Sequence, residues 1–425
     1  MLKDFYDLIS SRGFLHQSTD DNGIKKLLLK KTSGYIGFDC TSDSLHVGSL
    51  LPLMLLRAFQ KCGHKPIILL GGGTTLIGDP SGKDETRRIL QKKDILKNKK
   101  KLMRIFKKFL SFDSSLGNCA EILDNYMWLG NLKLISFLRD IGSKFSVNRM
   151  LGLDSIKQRL KREQNLSFLE FNYSIFQAYD FLLLHEKYNC MLQFGGSDQW
   201  GNIVSGIDLI KREKNQQVYG LTTPLVTNSS GKKMGKTSEG AVWLSEEKFS
   251  VQDFWQFWRN TSDNDIIKFL KLFTEISTKE IKRYENLEGS ELNKLKIILA
   301  NEVTTLCHGK EKSRKAESEA KSILSSKNFN TNIFDTCEQK LSIKIKSLKQ
   351  GIFLKKILID LKLTQSNGQS KRLIEQGAVK LNEQIVKEKD LLITKNDFTE
   401  NPEKKNSYLI IYVGKKKYGV VELVS

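Results

Sequence analysis

The stretch GYIGFDCTSDSLHVGS, residues 34–49, decides the fold. Its first six residues form an apolar run that predicts a buried strand, and the polar residues after it lead into a helical pattern at 51–63. A strand that ends in a polar turn and leads into a helix is the repeating unit of a parallel α/β sheet. His46 and Gly48 therefore fall near the carboxyl end of a predicted strand, where such sheets bind ligands.

The same alternation continues along the first half of the chain. Further strands are predicted at 65–73, 145–151, 190–196 and 220–227, and a long helix at 168–188. Residues 247–325 are helical throughout, 326–350 lose periodicity, and the last 75 residues restart with short elements. The sequence thus predicts an α/β domain at 1–230, a loop region at 231–246, a helical domain at 247–325, a linker at 326–350 and a small α+β domain at 351–425.

Composition limits the classes of partner and compartment. The chain has 69 Lys and Arg against 48 Asp and Glu, a formal charge of +21. If this excess is concentrated on faces of the protein, it indicates a polyanionic partner such as nucleic acid; if it is spread evenly, it serves solubility or reflects a lysine-rich proteome. The six cysteines are far apart in the sequence and form no CxxC pair, so neither a zinc site nor a disulfide framework is expected. This cysteine usage fits a protein of the reducing cytoplasm. No apolar run is long enough to predict a membrane span.

Two further segments combine glycines with charged residues: LLGGGTTLIGDPSGKDETR (69–87) and SSGKKMGKTSEG (229–240). The first is not a Walker motif, because Asp84 follows Gly82 and Lys83 where Ser or Thr is needed. Taken singly, the second is typical of a solvated basic turn, and His46 is typical of a surface histidine. Their combination requires another interpretation.

His46-Val47-Gly48-Ser49 resembles the HIGH signature of class I aminoacyl-tRNA synthetases, and Lys233-Met234-Gly235-Lys236-Thr237 resembles their KMSKS signature. The order of the two motifs, their spacing and their placement on a parallel α/β pattern carry the resemblance. It implies a Rossmann-like catalytic domain at 1–230, a KMSKS-like loop at 231–246 and an α-helical domain that binds the anticodon stem at 247–325.

A polar trio on an otherwise apolar helix indicates which amino acid such a synthetase would activate. Tyr173, Gln177 and Asp180 are spaced at i, i+4 and i+7 and so share one helix face, where burial without a function is costly. Together with GFDCTSDSLHVG, LIGDPSGKDETR, FLRDIGSKFSVN, LQFGGSDQWGNI and KKMGKT, the trio resembles bacterial-type tyrosyl-tRNA synthetases over nearly the whole chain.

The resemblance implies a role for each matching residue. Tyr35 and Asp180 would bond the tyrosine phenol, Tyr173, Gln177 and Asp79 would hold its ammonium group, and Gln193 would help to close the pocket. The residues that would contact ATP or the adenylate are Gly37, Asp39, Thr41, His46, Gly48, Ser49, Gly196, Asp198, Gln199 and Lys236. The residues that would promote the reaction or bind the departing pyrophosphate are Thr41, His46, Lys83, Arg87, Lys233, Lys236 and Thr237.

The sequence departs from the family pattern at four positions. Ser49 stands where HIGH has its second histidine, and Gly235 replaces the central serine of KMSKS. Cys40 stands where proline is usual, and Ile36 where many relatives have a cysteine that contacts the adenylate ribose. None of these changes removes a required charge.

The C-terminal segment carries a second resemblance. QSKRLIEQGAVKLN lies in a helix–turn–helix–hairpin pattern that resembles the S4 RNA-binding fold. Residues 351–425 hold 14 Lys and Arg against 9 Asp and Glu, and Lys371, Arg372 and Lys380 would face RNA phosphates. The alternative is a soluble lysine-rich tail.

These resemblances imply a tyrosine–tRNA ligase that uses ATP with Mg²⁺, holds no metal of its own, charges tRNA(Tyr), works in the cytoplasm without a membrane and forms a homodimer. One rival is the tryptophan enzyme, which has no reason for the Tyr35–Asp180 phenol clamp. The other is a non-catalytic or dual-role RNA-binding protein of the splicing type, derived from a synthetase. The presence of His46, Asp79, Lys233 and Lys236 favours catalysis over that rival.

Overall fold

The computed structural model describes most of the chain, in two compact units that cover Met1–Glu317 and Ser318–Ser425. The described residues are 4–81, 90–229, 231, 233–237, 240–324, 337, 339–348, 351–382, 384–401, 406–414 and 417–424.

A six-stranded sheet forms the centre of the N-terminal unit. Its order is β1-β6-β5-β2-β3-β4, and all pairs are parallel except β1 with β6. The strands are β1 Gln17–Ser18, β2 Ser33–Asp39, β3 Lys65–Gly71, β4 Glu121–Asp124, β5 Cys190–Gly196 and β6 Tyr219–Thr223. β2 and β3 are almost wholly buried, as expected of central strands covered by helices on both faces.

Helices connect these strands. They are α1 Phe5–Arg12, α2 Asp21–Leu28, α3 Leu50–Lys61, α4 Lys92–Phe109, α5 Tyr126–Leu129, α6 Leu134–Asp140, α7 Val147–Leu151, α8 Asp154–Lys161, α9 Phe168–Phe171, α10 Tyr173–Tyr188 and α11 Trp200–Lys214. A core cluster that includes Tyr35, Ile67, Phe181 and Ile203 joins the sheet to α10 and α11. This packing fixes the polar face of α10 against the carboxyl ends of the strands.

The strand predicted at 145–151 is wrong, because this segment ends in α7. Val147 and Leu151, spaced at i and i+4, are exposed, and only Met150 between them is buried. Short apolar runs do not distinguish strands from helices by periodicity. The helix predicted at 168–188 is divided at Asn172 into α9 and α10, and the four-residue strand β4 was not predicted.

The rest of the N-terminal unit begins with a small hairpin, β7 Lys236–Thr237 and β8 Gly240–Ala241. The helices that follow are α12 Val251–Arg259, α13 Ile266–Phe273, α14 Thr278–Tyr284, α15 Ser290–His308 and α16 Lys310–Leu324, whose end lies in the second unit. Trp258 is fully buried and contacts Phe254, Phe269 and Phe273 edge to face. The helical character predicted for 247–325 is therefore seen in the described residues.

The C-terminal unit is an α+β fold. Its elements are β9 Lys340–Lys344, β10 Ile352–Phe353, α17 Leu354–Asp360, α18 Asn367–Glu375, β11 Val379–Leu381, β12 Gln384–Val386, β13 Leu392–Ile393, β14 Thr399–Asn401, β15 Asn406–Val413 and β16 Lys417–Val424. The helix–turn–helix–hairpin order is the one predicted. β9 falls inside the range assigned to a linker and pairs in parallel with β16, while the domain boundaries remain predictions.

Among the described residues, no helix is long and apolar enough to cross a bilayer.

Candidate active site

Most of the residues singled out in the sequence lie at the carboxyl edge of the central sheet. β2 leads into residues 42–49, which we call the histidine segment, and β5 ends at Gly196. From β2 the chain crosses to β3 and β4 on one side and later returns to β5 and β6 on the other. Open parallel sheets bind ligands at such a switch point.

Tyr35 on β2 has a hydroxyl that is buried without a ligand. The residue is 1% exposed, and its Oη has no hydrogen-bond partner in the described part of the chain. Burial, and then the charge of Asp180, raise the pKa of the Tyr35 phenol well above its ordinary value. A buried hydroxyl without a partner is costly unless a ligand supplies one.

Asp180 on α10 supplies the buried carboxylate whose charge acts on that hydroxyl. Its Oδ2 accepts a bond from Asn125 Nδ2 at 2.9 Å, and its Oδ1 accepts one from Trp128 Nε1 at 2.7 Å. Burial raises the pKa of Asp180 to about 7, although these two bonds act in the opposite direction. Each carboxylate oxygen retains a lone pair for a further donor.

The glycines at the end of β3 leave room for polar side chains from neighbouring strands. A Cβ on Gly71 would lie 2.2 Å from Asp39 Oδ1, and one on Gly72 would lie 2.1 Å from Asp124 Oδ1. The Gly73 N–H donates to Asn125 Oδ1 at 2.7 Å, and Asn125 Nδ2 also donates to Thr74 Oγ1 at 3.0 Å.

The site also contains three residues that were not predicted from the sequence: Asn125, Trp128 and Thr74. All three lie just past the carboxyl ends of strands, so recognition of β4 would have drawn attention to the first two.

Asp39 joins the end of β2 to α10. Its Oδ1 accepts from Thr74 Oγ1 at 2.8 Å and its Oδ2 from Tyr173 Oη at 3.4 Å. The structure therefore brings together Tyr173 and Asp39, which the sequence analysis assigned to tyrosine and to ATP respectively.

A second network connects Asp79 with two glutamines. Gln199 Nε2 donates to Asp79 Oδ2 at 2.9 Å, and Asn202 Nδ2 donates to the Oε1 atoms of Gln177 at 3.1 Å and Gln199 at 3.2 Å. Asn202 is 5% exposed and was not singled out in the sequence. Gln193 on β5 is 1% exposed, and its Oε1 has no partner among the described residues.

Gly196 and Asp198 follow β5. A Cβ on Gly196 would lie 2.6 Å from Asp198 Oδ1, so the turn is tight. Desolvation and the charge of Asp79 raise the pKa of Asp198, and the charge of Lys233 opposes this shift. Lys233 is thereby electrostatically linked to the end of β5, about 35 residues earlier in the chain.

His46 caps the turn that precedes α3. Its Nδ1 accepts a bond from the Gly48 N–H at 2.9 Å, so in the neutral ring Nε2 carries the proton. A Cβ on Gly48 would lie 2.6 Å from His46 Cε1, so the glycine is needed for the ring to fold back. This is a local reason for Gly48, separate from the contact with ATP that the resemblance implies.

The lysine hairpin, by which we mean residues 233–237 and 240–241, lies against the histidine segment. Gly235 has a φ of +83°, and a Cβ there would lie 3.0 Å from Gly48 N and 3.4 Å from His46 Nδ1. Lys233 is exposed and forms a backbone bridge with Thr227, and Lys236 and Thr237 form β7. The two segments that carry the signatures are therefore in contact at Gly48 and Gly235.

The remaining predicted residues are placed as follows. Gly37 is an exposed position in an otherwise buried strand, and an added Cβ would meet nothing within 4 Å. Thr41 is exposed, and Ser49 precedes α3 without a side-chain cap bond. Lys83 and Arg87 lie outside the described residues. Lys371, Arg372 and Lys380 belong to the C-terminal unit, on α18 and β11.

No cluster of three His, Cys, Asp or Glu side chains suited to a metal ion occurs in the described residues.

Two family profiles match the chain. The profile described as tRNA synthetases class I (W and Y) matches residues 29–325, and that of the tyrosine–tRNA ligase SYY-like C-terminal domain matches 337–421. The tyrosine–tRNA ligase of Pelagibacter ubique is 50% identical, over 100% of this chain and 99% of its own.

The chain belongs to the class I tyrosyl-tRNA synthetases.

Other relatives agree with this assignment. The tyrosine–tRNA ligase of Anaplasma phagocytophilum is 47% identical, over 97% of both chains. Among solved structures, the C-terminally truncated mitochondrial tyrosyl-tRNA synthetase of Aspergillus nidulans is similar with a TM-score of 0.66 and 29% identity, over 76% of this chain and 94% of its own. The expected fold class is confirmed.

Of the four departures of this synthetase from the family pattern, those at Gly235 and Cys40 have local explanations. Gly235 sits where a side chain would be strained and crowded, so serine would fit poorly here. Cys40 is fully buried, and its N–H donates to Thr75 Oγ1 at 2.8 Å, a bond that proline could not make. Ile36 is 5% exposed and packs in the core.

Proposed function

We propose that this tyrosine–tRNA ligase works in two steps at the carboxyl edge of its sheet. A carboxylate oxygen of L-tyrosine attacks the α-phosphorus of ATP, and the bond to pyrophosphate breaks. The 3′-terminal ribose hydroxyl of tRNA(Tyr) then attacks the carbonyl carbon of the adenylate, and AMP leaves. Reactions of this kind depend on positioning and charge stabilisation.

The buried Tyr35 hydroxyl and the Asp180 carboxylate, whose charge raises the pKa of Tyr35, carry the proposal for substrate recognition. The Tyr35 hydroxyl is buried without a partner among the described residues, and Asp180 presents a buried carboxylate with spare lone pairs. A phenol that donates to Asp180 and accepts from Tyr35 would satisfy both groups. Such a site rejects phenylalanine because its buried polar groups would stay unpaired, a principle for which this enzyme class is itself the standard example.

The ammonium group of tyrosine would lie between α10 and the end of β3. Tyr173, Gln177 and Asp79 supply oxygen atoms there, and Asp39 adds a carboxylate through its bond with Tyr173. Gln193 would face the same pocket, since its buried Oε1 has no partner among the described residues. An ammonium group offers three donors, which matches a pocket of acceptors.

The open space beside Gly37 would admit the adenylate, whose other contacts would be Asp39, Thr41, Gly48, Ser49, Gly196, Asp198 and Gln199. His46 would donate its Nε2–H to the triphosphate as charge develops. Lys83, Arg87, Lys233, Lys236 and Thr237 would bind the departing pyrophosphate, on the basis of family resemblance. Mg²⁺ would enter with ATP as part of the substrate, which neutralises phosphate charge.

The two rival functions explain the site less well. A tryptophan enzyme has no use for a second phenol-bonding oxygen at Tyr35. A non-catalytic RNA-binding protein has no need to keep His46 bonded through Nδ1 and in contact with the lysine hairpin. A second role in RNA binding is compatible with the ligase site.

We also propose that two copies pair through residues 134–169, between β4 and β5. Eight of the nineteen large apolar side chains that are exposed in the described residues fall in this segment. They include Ile135 at 76% and Phe168 at 81% exposed. Apolar surface concentrated in this way marks a protein interface.

The enzyme would work in the cytoplasm, in keeping with six cysteines that all lie in the described part and form no disulfide.

The C-terminal unit would bind the tRNA. Arg372 and Lys380 are exposed, and Lys371 is only loosely paired with Asp390, at 3.8 Å. Exposed cations of this kind bind phosphates in a salt-dependent manner.

The first prediction concerns amino-acid selection. Asp180→Asn should lower kcat/KM for tyrosine activation by about ten- to a hundred-fold, because the phenol loses a hydrogen bond to a charged acceptor. Phenylalanine activation should change little, so the preference for tyrosine should narrow. Tyrosine-dependent and phenylalanine-dependent pyrophosphate exchange measure both quantities.

The pKa of Asp180 provides an internal check. Since it is about 7, tyrosine affinity of the unaltered enzyme should fall as pH drops below 7 and the carboxylate is protonated, and this dependence should vanish in Asp180→Asn. Asp208→Asn, on the neighbouring helix α11, is the control and should behave as wild type. Unchanged discrimination in Asp180→Asn would show that the phenol binds elsewhere.

The second prediction concerns the dimer. Phe168→Asp should yield a monomer at micromolar concentration by analytical ultracentrifugation, because a charge replaces the most exposed apolar side chain of the segment. Leu29→Asp is the control, since Leu29 is 78% exposed but lies outside the segment. Wild-type association of Phe168→Asp would contradict the proposed interface.

The third prediction concerns the tRNA. The triple variant Lys371→Gln, Arg372→Gln, Lys380→Gln should bind tRNA(Tyr) more weakly and reduce the slope of log K against log salt by up to about 2.7, or about 0.9 for each phosphate that these cations no longer neutralise. Its tyrosine-dependent pyrophosphate exchange should be unchanged.

The matched control removes the same charge from three other exposed lysines of the C-terminal unit, Lys346, Lys362 and Lys395. Equal loss of tRNA affinity in both triple variants would mean that net charge, and no particular surface, attracts the tRNA.

A further inference from the structure

The chain after the lysine hairpin runs alongside the histidine segment. The Val47 N–H donates to Val242 O at 2.9 Å, and the Leu244 N–H donates to Leu45 O at 2.8 Å. Between these bonds His46 and Trp243 form an antiparallel bridge. The Val242 N–H also donates to Gly235 O at 3.0 Å, so the hairpin continues directly into this pairing.

The Trp243 ring contacts the His46 ring. Their centroids are 6.3 Å apart and the planes are inclined at 69°, an edge-to-face arrangement. Aromatic pairs favour this geometry because the positive edge of one ring meets the negative face of the other. Trp243 is half-buried, so its indole is neither a core residue nor a freely moving surface group.

A charged group holds Trp243 in turn. Lys248 Nζ lies 4.4 Å from the centroid of the indole ring, a cation–π contact. Lys248 is held against the histidine segment by an ion pair with Asp43 and by a bond to Ser42 Oγ at 3.2 Å. Lys101 of α4 also pairs with Asp43, at 3.1 Å.

These contacts restrain the imidazole from two sides. The Gly48 N–H fixes Nδ1 as the acceptor, which leaves the proton on Nε2, and the indole limits rotation of the ring away from that bond. The bond to Gly48 alone leaves the ring exposed to solvent. The indole lies beside the imidazole ring and belongs to the chain that follows the lysine hairpin.

We propose that Trp243 is a positioning residue that holds His46 in its Nε2–H donor orientation and couples that orientation to the lysine hairpin. The proposal rests on the proposed function, in which His46 donates to the triphosphate during adenylate formation. Trp243 touches neither substrate. It acts through His46, and the Lys248–Asp43 pair keeps it in place.

A kinetic cycle tests the coupling. Trp243→Leu should lower the first-order rate of tyrosyl-adenylate formation by about ten- to a hundred-fold, the usual consequence of a displaced catalytic group, and leave the Kd for tyrosine unchanged. In a His46→Ala background the same change should cost less than about two-fold further, because the group that it positions is absent. Trp243→Phe keeps an aromatic ring beside His46 and should restore most of the rate.

Phe257→Leu is the matched control, because Phe257 is another half-buried aromatic residue, on α12, where its ring packs against Trp258. It should leave the rate unchanged in both backgrounds. If the losses from Trp243→Leu and His46→Ala multiply, Trp243 does not act through His46 and the proposal is overturned.

A spectroscopic readout is independent of ligase activity. The chain has five histidines, so ¹³C- and ¹⁵N-labelled imidazole signals can be assigned by single substitutions. In Trp243→Leu the His46 signals should shift from the Nε2–H tautomer towards an average of tautomers, while the other four stay unchanged. Unaltered His46 signals in Trp243→Leu would overturn the proposal. Inactivity of the wild-type enzyme with tyrosine is a separate result, which would refute the proposed function.

Discussion

The parallel pairing of β2 with both β3 and β5 is the constraint on which the site depends. Tyr35 pairs with Ile67 of β3 on one side and with Gln193 of β5 on the other, so the carboxyl ends of these three strands lie at one edge of the sheet. Because the pairing is parallel, residues that are more than 150 positions apart, such as Asp39 and Gly196, lie at the same edge of the sheet. A slip of one residue in β2 would turn Tyr35 away from the pocket.

The site also depends on glycines that allow neighbouring groups to approach the backbone closely. Glycines at 71–73 let polar side chains of β2, of β4 and of the residue after β4 crowd the end of β3. Gly48 and Gly235 let the histidine segment touch the lysine hairpin. In each case a Cβ would lie within 3.3 Å of a group in the site. The buried hydroxyl of Tyr35 and the buried carboxylate of Asp180 are tolerated in this crowded region because a phenol between them would satisfy both.

Much of this could be predicted from the sequence, and the failures have physical causes. The apolar runs of β2, β3 and β5 and the i, i+4, i+7 spacing on α10 are strong local signals, and they located Tyr35, Tyr173 and Asp180. Residues 145–151 end in a helix and not in the predicted strand, because a short apolar run fits a helix as well as a strand. The roles of Asn125 and Asn202 depend on contacts with residues 55 and 25 positions away, which no local pattern encodes.

The central claim is that one edge of one sheet binds both tyrosine and ATP for adenylate formation. Pyrophosphate exchange into ATP, measured with the full chain and each of the twenty amino acids in turn, tests it most directly. The account predicts exchange with tyrosine alone. Exchange with none of the amino acids, or with tryptophan in place of tyrosine, would contradict it.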